Sequence, residues 1–268
     1  METSMDYPQY EDLVLDIKDH VAHFRINRPD RLNAFGPKTR PEIFDLTERL
    51  QKDDDVRVVV VTAEGRGFCS GADLGGPRDP NAPPPPRSQR FGRLEQNAIS
   101  MMMPSLDKPT IASINGVAAG GGMAWACSFD IRILGPNARF TTVFVRRAFT
   151  PDNGLTWSLP RLVGEPRAYE LFFTGREVNA DEAYRIGLGN ELVDDPDARA
   201  MALADELAGN APLSILFSKR MIQYGRDHSL AELIEYERAA GAHTRDSTDR
   251  QEGVRAFLEK RKPNFTGN

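Results

Sequence analysis

The sequence predicts an α/β fold: a mostly parallel sheet, followed by a block of helices. Two observations carry that expectation. Short apolar runs recur at 56–61, 109–114 and 130–134, separated by stretches with helical spacing. Strands alternating with helices imply crossover connections between parallel strands. From Pro166 onward the apolar residues keep a helical period almost without interruption.

Taken in order, Leu13, Leu15 and Ile17 alternate with polar residues, and Ala22, Phe24 and Ile26 repeat the pattern after Lys18-Asp19-His20. Period-two spacing on both sides of a short polar break reads as a strand pair. Ile43, Leu46 and Leu50 follow Pro41 at helical spacing, so a helix is expected over roughly 37–52. The run at 56–61 is continuous rather than alternating and lies between Asp53-Asp54-Asp55 and Glu64-Gly65, which suits a strand covered on both faces. Between Gly75 and Arg90 lie Gly76-Pro77, Asp79-Pro80 and the prolines Pro83 to Pro86. No helix interior accommodates that run, and a long loop of polyproline character suits a lid or binding loop, with a solvated insertion as the alternative. Helices are expected at 180–187, 196–208, 213–224, 230–240 and 253–262. The chain therefore divides into an α/β core at 1–200 and a helical region at 201–268 that packs on the core and on neighbouring subunits.

At 268 residues, 40% of them hydrophobic, the chain can bury one full core with an appendage. A net charge of -5 argues against nucleic acid as a main partner. Two cysteines, Cys69 and Cys127, do not make a disulfide framework and fit a reducing compartment. Residues 1–11 are polar and acidic, unlike a signal or transit peptide. No apolar stretch approaches the ~20 residues that span a bilayer, so a cytoplasmic enzyme with no membrane partner is expected. His20, His23, His228 and His243 show no ligand spacing with each other or with the cysteines, so no metal is expected. His23, inside an apolar strand, reads as a sheet residue.

Two glycine-rich segments carry the chemistry. One is Gly65-Arg66-Gly67-Phe68-Cys69-Ser70-Gly71-Ala72-Asp73-Leu74; the other is Asn115-Gly116-Val117-Ala118-Ala119-Gly120-Gly121-Gly122, followed by Met123-Ala124. A strand that ends in a turn before a helix leaves backbone N–H groups without partners. Two such donors meeting at one point can hold a carbonyl oxygen as it becomes an enolate, and glycine lets the backbone come close.

Together with Lys108-Pro109-Thr110-Ile111-Ala112, these segments resemble the enoyl-CoA hydratase/isomerase (crotonase) superfamily. The resemblance extends through Asn27-Arg28-Pro29-Asp30-Arg31-Leu32-Asn33-Ala34, Leu159-Pro160-Arg161-Leu162-Val163-Gly164 and the basic end at 253–263. It implies the crotonase fold of repeated β-β-α units, assembly as a trimer or dimer of trimers, and an acyl-CoA thioester substrate. It implies no cofactor beyond the coenzyme A that the substrate carries. The implied oxyanion donors are the N–H groups of Ala72 and Gly121, flanked by Gly71, Asp73, Leu74 and Gly120. A helix starting near Gly122 would aim its positive end at the same oxygen. Arg31, Leu32 and Ala34 fall on the family's coenzyme A stretch. The basic residues of 253–263 and the pair Arg146-Arg147 either meet ligand anions or face solvent.

In the family's hydratases, one catalytic glutamate falls at Ala124 and the second at Phe144. Neither side chain here can transfer a proton. Thr150-Pro151-Asp152-Asn153-Gly154, followed by Trp157-Ser158-Leu159-Pro160-Arg161, instead resembles the aspartate-dependent isomerases of phenylacetate breakdown, which work with one base. Asp152 is therefore the expected base, although an aspartate before a helix also serves as an N-cap. Isomerisation is the favoured activity. The alternatives are hydration or C–C hydrolysis through a water held by Asp152, and a non-catalytic acyl-CoA-binding subunit. A dehalogenase with a nucleophilic aspartate would need a positioned base, and no histidine stands nearby in sequence. Phe144 and Trp157 either line an apolar acyl pocket or pack the core, and Glu95 is the reserve carboxylate.

Overall fold

The computed structural model describes residues 5–75 and 98–268. The proline run at 83–86 and Glu95 lie outside the described residues.

Strands β1 (Leu13–Lys18) and β2 (Val21–Ile26) form the expected antiparallel pair, with Lys18 opposite Val21. The two turn residues, Asp19 and His20, take φ of 50° and 68°. Left-handed backbone at both positions gives a turn whose twist matches that of the strands it joins. Helix α1 (Thr39–Lys52) buries Ile43, Leu46 and Leu50, the residues whose spacing predicts it.

Strands β3 (Val58–Ala63), β5 (Thr110–Ile114), β7 (Ile131–Leu134) and β10 (Glu191–Leu192) complete a six-stranded sheet ordered β1-β2-β3-β5-β7-β10, parallel from β2 onward. A second sheet has no counterpart in the sequence reading. It is ordered β4 (Gly67–Cys69), β6 (Val117–Ala119), β8 (Arg139–Thr141), β9 (Val178–Asn179). The pairs β3/β4, β5/β6 and β7/β8 each place their first strand in the large sheet and their second in the small one. The second-sheet strands are two or three residues long, too short to display a period.

Buried side chains form two clusters. The larger holds Phe24, Ile43, Leu46, Phe68, Trp125 and Phe140. At its centre Trp125 meets Phe24, Phe35, Phe68 and Phe129 at ring distances of 6.5, 5.8, 5.4 and 5.2 Å. Each such pair adds about 0.5–1.5 kcal/mol beyond its area burial, so the short helix α3 (Gly121–Ala126) is anchored firmly through Trp125. Val21, Val58, Val60, Ile111 and Ile133 form the other cluster with Ala200, Ala204 and Ala208 of helix α7 (Pro196–Ala208). The expected 200/201 boundary lies inside this helix, which sits on the large sheet.

Helices α8 (Pro212–Tyr224), α9 (Leu230–Arg245) and α10 (Thr248–Glu259) follow. The last two differ from the expected spans. Helix α9 continues past Ala240 to Arg245, and α10 begins at Thr248 because the Ser247 hydroxyl accepts from the N–H of Arg250 at 3.1 Å and caps it. Lys219 of α8 reaches into the core, where its Nζ donates to the carbonyls of Met103 (3.1 Å) and Lys108 (2.9 Å) and to the Asp130 carboxylate (2.7 Å). His23 lies in β2 with its Nε2 3.0 Å from the Thr62 hydroxyl, and burial lowers its pKa. Among the described residues no helix is long and apolar enough to cross a membrane.

Candidate active site

The two glycine-rich segments meet because β4 and β6 are parallel neighbours, with Cys69 opposite Ala118. Chains leaving the same end of adjacent parallel strands emerge side by side. Gly71 has φ +87°, and a Cβ there would sit 2.7 Å from the Ala119 carbonyl oxygen and 3.2 Å from the Gly121 nitrogen. No side chain fits that gap. The N–H of Gly120 donates to the Thr141 carbonyl at 3.0 Å, and its φ of 53° and ψ of -119° turn the strand into α3.

Ala72 pairs with Phe35 in a parallel bridge, in which the Phe35 N–H donates to the Gly71 carbonyl at 2.7 Å and the Asp73 N–H donates to the Phe35 carbonyl at 3.2 Å. Those bonds flank Ala72, so its own N–H points away from Phe35. Gly121 is the first residue of α3, and its N–H is one of the donors a helix start leaves over. Neither N–H has an acceptor among the described residues. Helix α3 has only 6 residues, so the site offers local N–H groups rather than a long macrodipole.

The turn before helix α4 (Leu155–Val163) comes alongside. Asn153 and Gly154 have φ of 50° and 71°, two left-handed residues in succession. Asp152 is exposed, and its Oδ1 accepts from Asn153 Nδ2 at 2.8 Å. The N-cap position of α4 is Gly154, with no side-chain capping bond. The Asp152 carboxylate therefore does not cap this helix; only its backbone carbonyl accepts, from the N–H of Leu155 at 3.2 Å. Asn153 Nδ2 lies 3.4 Å from the point where a Cβ on Gly121 would sit. Asp152 and the Gly121 segment are thus linked through one carboxamide. From helix α2 (Ile99–Ser105), the Ser100 hydroxyl donates to the Asn153 carbonyl.

Ala124 is fully buried, and Phe144 is buried in a short 3-10 helix (Phe144–Arg147), its ring edge 3.9 Å from the Cβ position of Gly120. No carboxylate stands at either place.

On the other side, residues 28–34 strap the Ala72 loop. Arg28 Nη2 donates to Asp73 at 3.0 Å, its Nε lies 3.5 Å from Asp12, and its Nη1 donates to the Ala34 carbonyl. The Arg28 bond holds the Asp73 carboxyl below the usual carboxylate range. Leu32 (φ 49°) accepts on its carbonyl from the N–H of Ser70 at 3.0 Å. The buried Asn33 side chain bonds the Arg28 N–H and the carbonyls of Glu64 and Gly67 at 2.8, 2.8 and 2.6 Å. Arg31 and Leu74 are exposed beside this loop.

A family model for enoyl-CoA hydratase/isomerase matches residues 16–268. The chain belongs to the enoyl-CoA hydratase/isomerase family. It is 34% identical to an (E)-benzylidenesuccinyl-CoA hydratase from Thauera aromatica, over 95% of this chain and 99% of that protein. It is also 34% identical to a 1,2-epoxyphenylacetyl-CoA isomerase from Escherichia coli K12, over 96% of this chain and 99% of that one. An enoyl-CoA hydratase structure from Bacillus anthracis superposes with a TM-score of 0.86 at 30% identity, covering 96% of this chain and 100% of that one. The fold is the crotonase fold that the motifs implied, and the family acts on acyl-CoA thioesters.

Within this family enzyme, Trp157 stands apart from the other expected site residues. It is half exposed, with the guanidinium groups of Arg161 and Arg226 at 4.0 and 5.3 Å from its ring centre. It lines a cavity of about 1060 Å³ between the core and α8, together with Met101, Ile222 and Arg226. The cavity touches the Asp152 turn through Ser100 and Gly154, but its lining includes neither Asp152 nor the two amides. Arg146 and Arg147 are exposed.

Three residues of the site were missed by sequence reasoning: Phe35, which orients Ala72; Arg28, which pairs with Asp73; and Asn153, which holds Asp152. The position of Asn153 directly after Asp152 was the only signal available. The partners of Phe35 and Arg28 lie far along the chain.

Proposed function

We propose that this family member is an acyl-CoA isomerase that shifts a double bond, or rearranges a ring, beside the thioester, with Asp152 as its single base. The observation that carries the reading is the Asp152 turn beside the Gly121 amide, combined with apolar side chains at Ala124 and Phe144. In this reading the thioester oxygen accepts from the N–H groups of Ala72 and Gly121. Asp152 removes a proton from C2 of a 3-enoyl-CoA, negative charge moves onto the thioester oxygen as a dienolate forms, and the same carboxyl returns the proton to C4. Each amide contributes on the order of 3–4 kcal/mol to the enolate-like transition state, and the base about 10²–10⁴-fold in rate. Phe144 shapes the acyl end of the site. Arg31, Leu32 and Ala34 meet coenzyme A, no other cofactor takes part, and the enzyme works as a trimer or dimer of trimers. The name of the Escherichia coli relative supports isomerisation. That of the Thauera relative favours a second reading, hydration by a water that Asp152 holds.

The test supplies 3-enoyl-CoA and 2-enoyl-CoA substrates to the wild type and to Asp152→Asn. Double-bond migration should appear in the wild type and fall by about 10²–10⁴-fold in the variant. Water addition that survives the substitution would sink the proposal. Acyl-CoA binding without turnover of either class would point to a non-catalytic subunit.

A further inference from the structure

We propose that Asn153 is a positioning residue that fixes one oxygen of the Asp152 carboxylate and leaves the other, Oδ2, as the atom that moves the proton. This inference rests on the reading of Asp152 as the base. Asp152 is exposed, and among the described residues its carboxylate has one partner, the Nδ2–H of Asn153 on Oδ1 at 2.8 Å. An exposed aspartate with no partner would populate several rotamers. A hydrogen bond to one carboxylate oxygen selects one of them and fixes which oxygen stays free.

Asn153 is itself held at its backbone and beside the Gly121 segment. Its backbone is left-handed at φ 50°, a region that asparagine enters more readily than other side-chain-bearing residues. The main-chain carbonyl of Asn153 accepts from the Ser100 hydroxyl of α2. Its Nδ2 packs against the Gly121 segment, 3.4 Å from where a Cβ would stand. The amide that orients the carboxylate thus lies beside the glycine segment from which the oxyanion donor would come, and one side chain sets the distance between base and enolate. A misplacement near 1 Å is enough to lower a rate about 100-fold.

Two substitutions test this. Asn153→Gly keeps the left-handed backbone and removes the amide; Asn153→Asp keeps the shape, replaces the donor with an acceptor and sets a second negative charge beside Asp152. Steady-state kcat and KM for double-bond migration should be measured beside Asp152→Asn, together with exchange of the substrate C2 hydrogen into D2O. Both variants should lose about 10- to 100-fold in kcat and in exchange rate while KM stays within about two-fold, because the groups that bind the thioester are untouched. A kcat within two-fold of wild type in both variants, or a rise in KM at constant kcat, would overturn the positioning role. If Asn153→Gly does not fold, Asn153→Asp alone decides. Migration that persists in Asp152→Asn removes the base and with it this proposal. Migration lost there but intact in the Asn153 variants removes the positioning role alone.

Discussion

Arg28 and Asp73 show how a charged pair at the rim of the site responds to pH. Their side chains are mostly buried, at 18% and 13% exposure, and the Arg28 bond depresses the Asp73 carboxyl, helped by the Gly75 N–H. A carboxyl whose folded value lies below its unfolded one contributes stability that is fully present above the unfolded value, about 3.9, and lost as pH falls through the folded value. The wild type should therefore exceed Asp73→Asn in urea midpoint at pH 6, and the difference should shrink as pH drops below about 4. A difference that does not change with pH would remove the charge argument. At this scale Gly71, Ala72, Gly121 and Asp152 were expected from their resemblance to the family's motifs, and the close approach at Gly71 is seen in the fold. Phe35 was not expected. Its role depends on a bridge to Ala72, 37 positions away, which exists only once the sheets have formed.

The elements that matter most are the ends of β4 and β6 and the start of α3. Their packing is so close that a Cβ on Gly122 would stand 2.0 Å from the Cys69 carbonyl oxygen and 2.7 Å from its carbon. Backbone cannot move aside as a flexible side chain can. Gly122→Ala should lose more than about 4 kcal/mol of stability or fail to yield folded protein, read from soluble yield and urea unfolding; a wild-type midpoint would contradict the packing. The long elements were legible in the sequence, α1 from Ile43, Leu46 and Leu50, and β3 from its continuous valines. The second sheet was not, since strands such as Gly67–Cys69 are too short to display a period and its pairings join segments distant in the chain.

Across the whole molecule, the helical region is joined to the core by a buried cation. Lys219 is 8% exposed, and Asp130, which accepts its Nζ, also takes the N–H and hydroxyl of Thr110 at 2.8 and 2.9 Å. Burial lowers the Lys219 pKa, and Asp130 opposes that shift. Removing one partner costs about 1.5–3 kcal/mol, because Lys219 is buried while the Asp130 side chain is 29% exposed and keeps water beside its charge. Lys219→Met should show that loss in urea unfolding, and Lys219→Met with Asp130→Asn should cost less than the two single changes added. Additive costs would mean that the two groups act separately. The sequence by itself determined the α/β class, the family and the helical second half, because periodicity and short motifs are written in neighbouring residues. Only the tertiary structure decided that the small sheet exists, that the Ala72 N–H points away from Phe35, that the Asp152 carboxylate is held by Asn153 rather than capping α4, and that Trp157 lines a cavity beside α8. Those outcomes depend on pairings between segments distant in the chain and on the backbone dihedrals at turns such as Asn153-Gly154, neither of which a local pattern encodes.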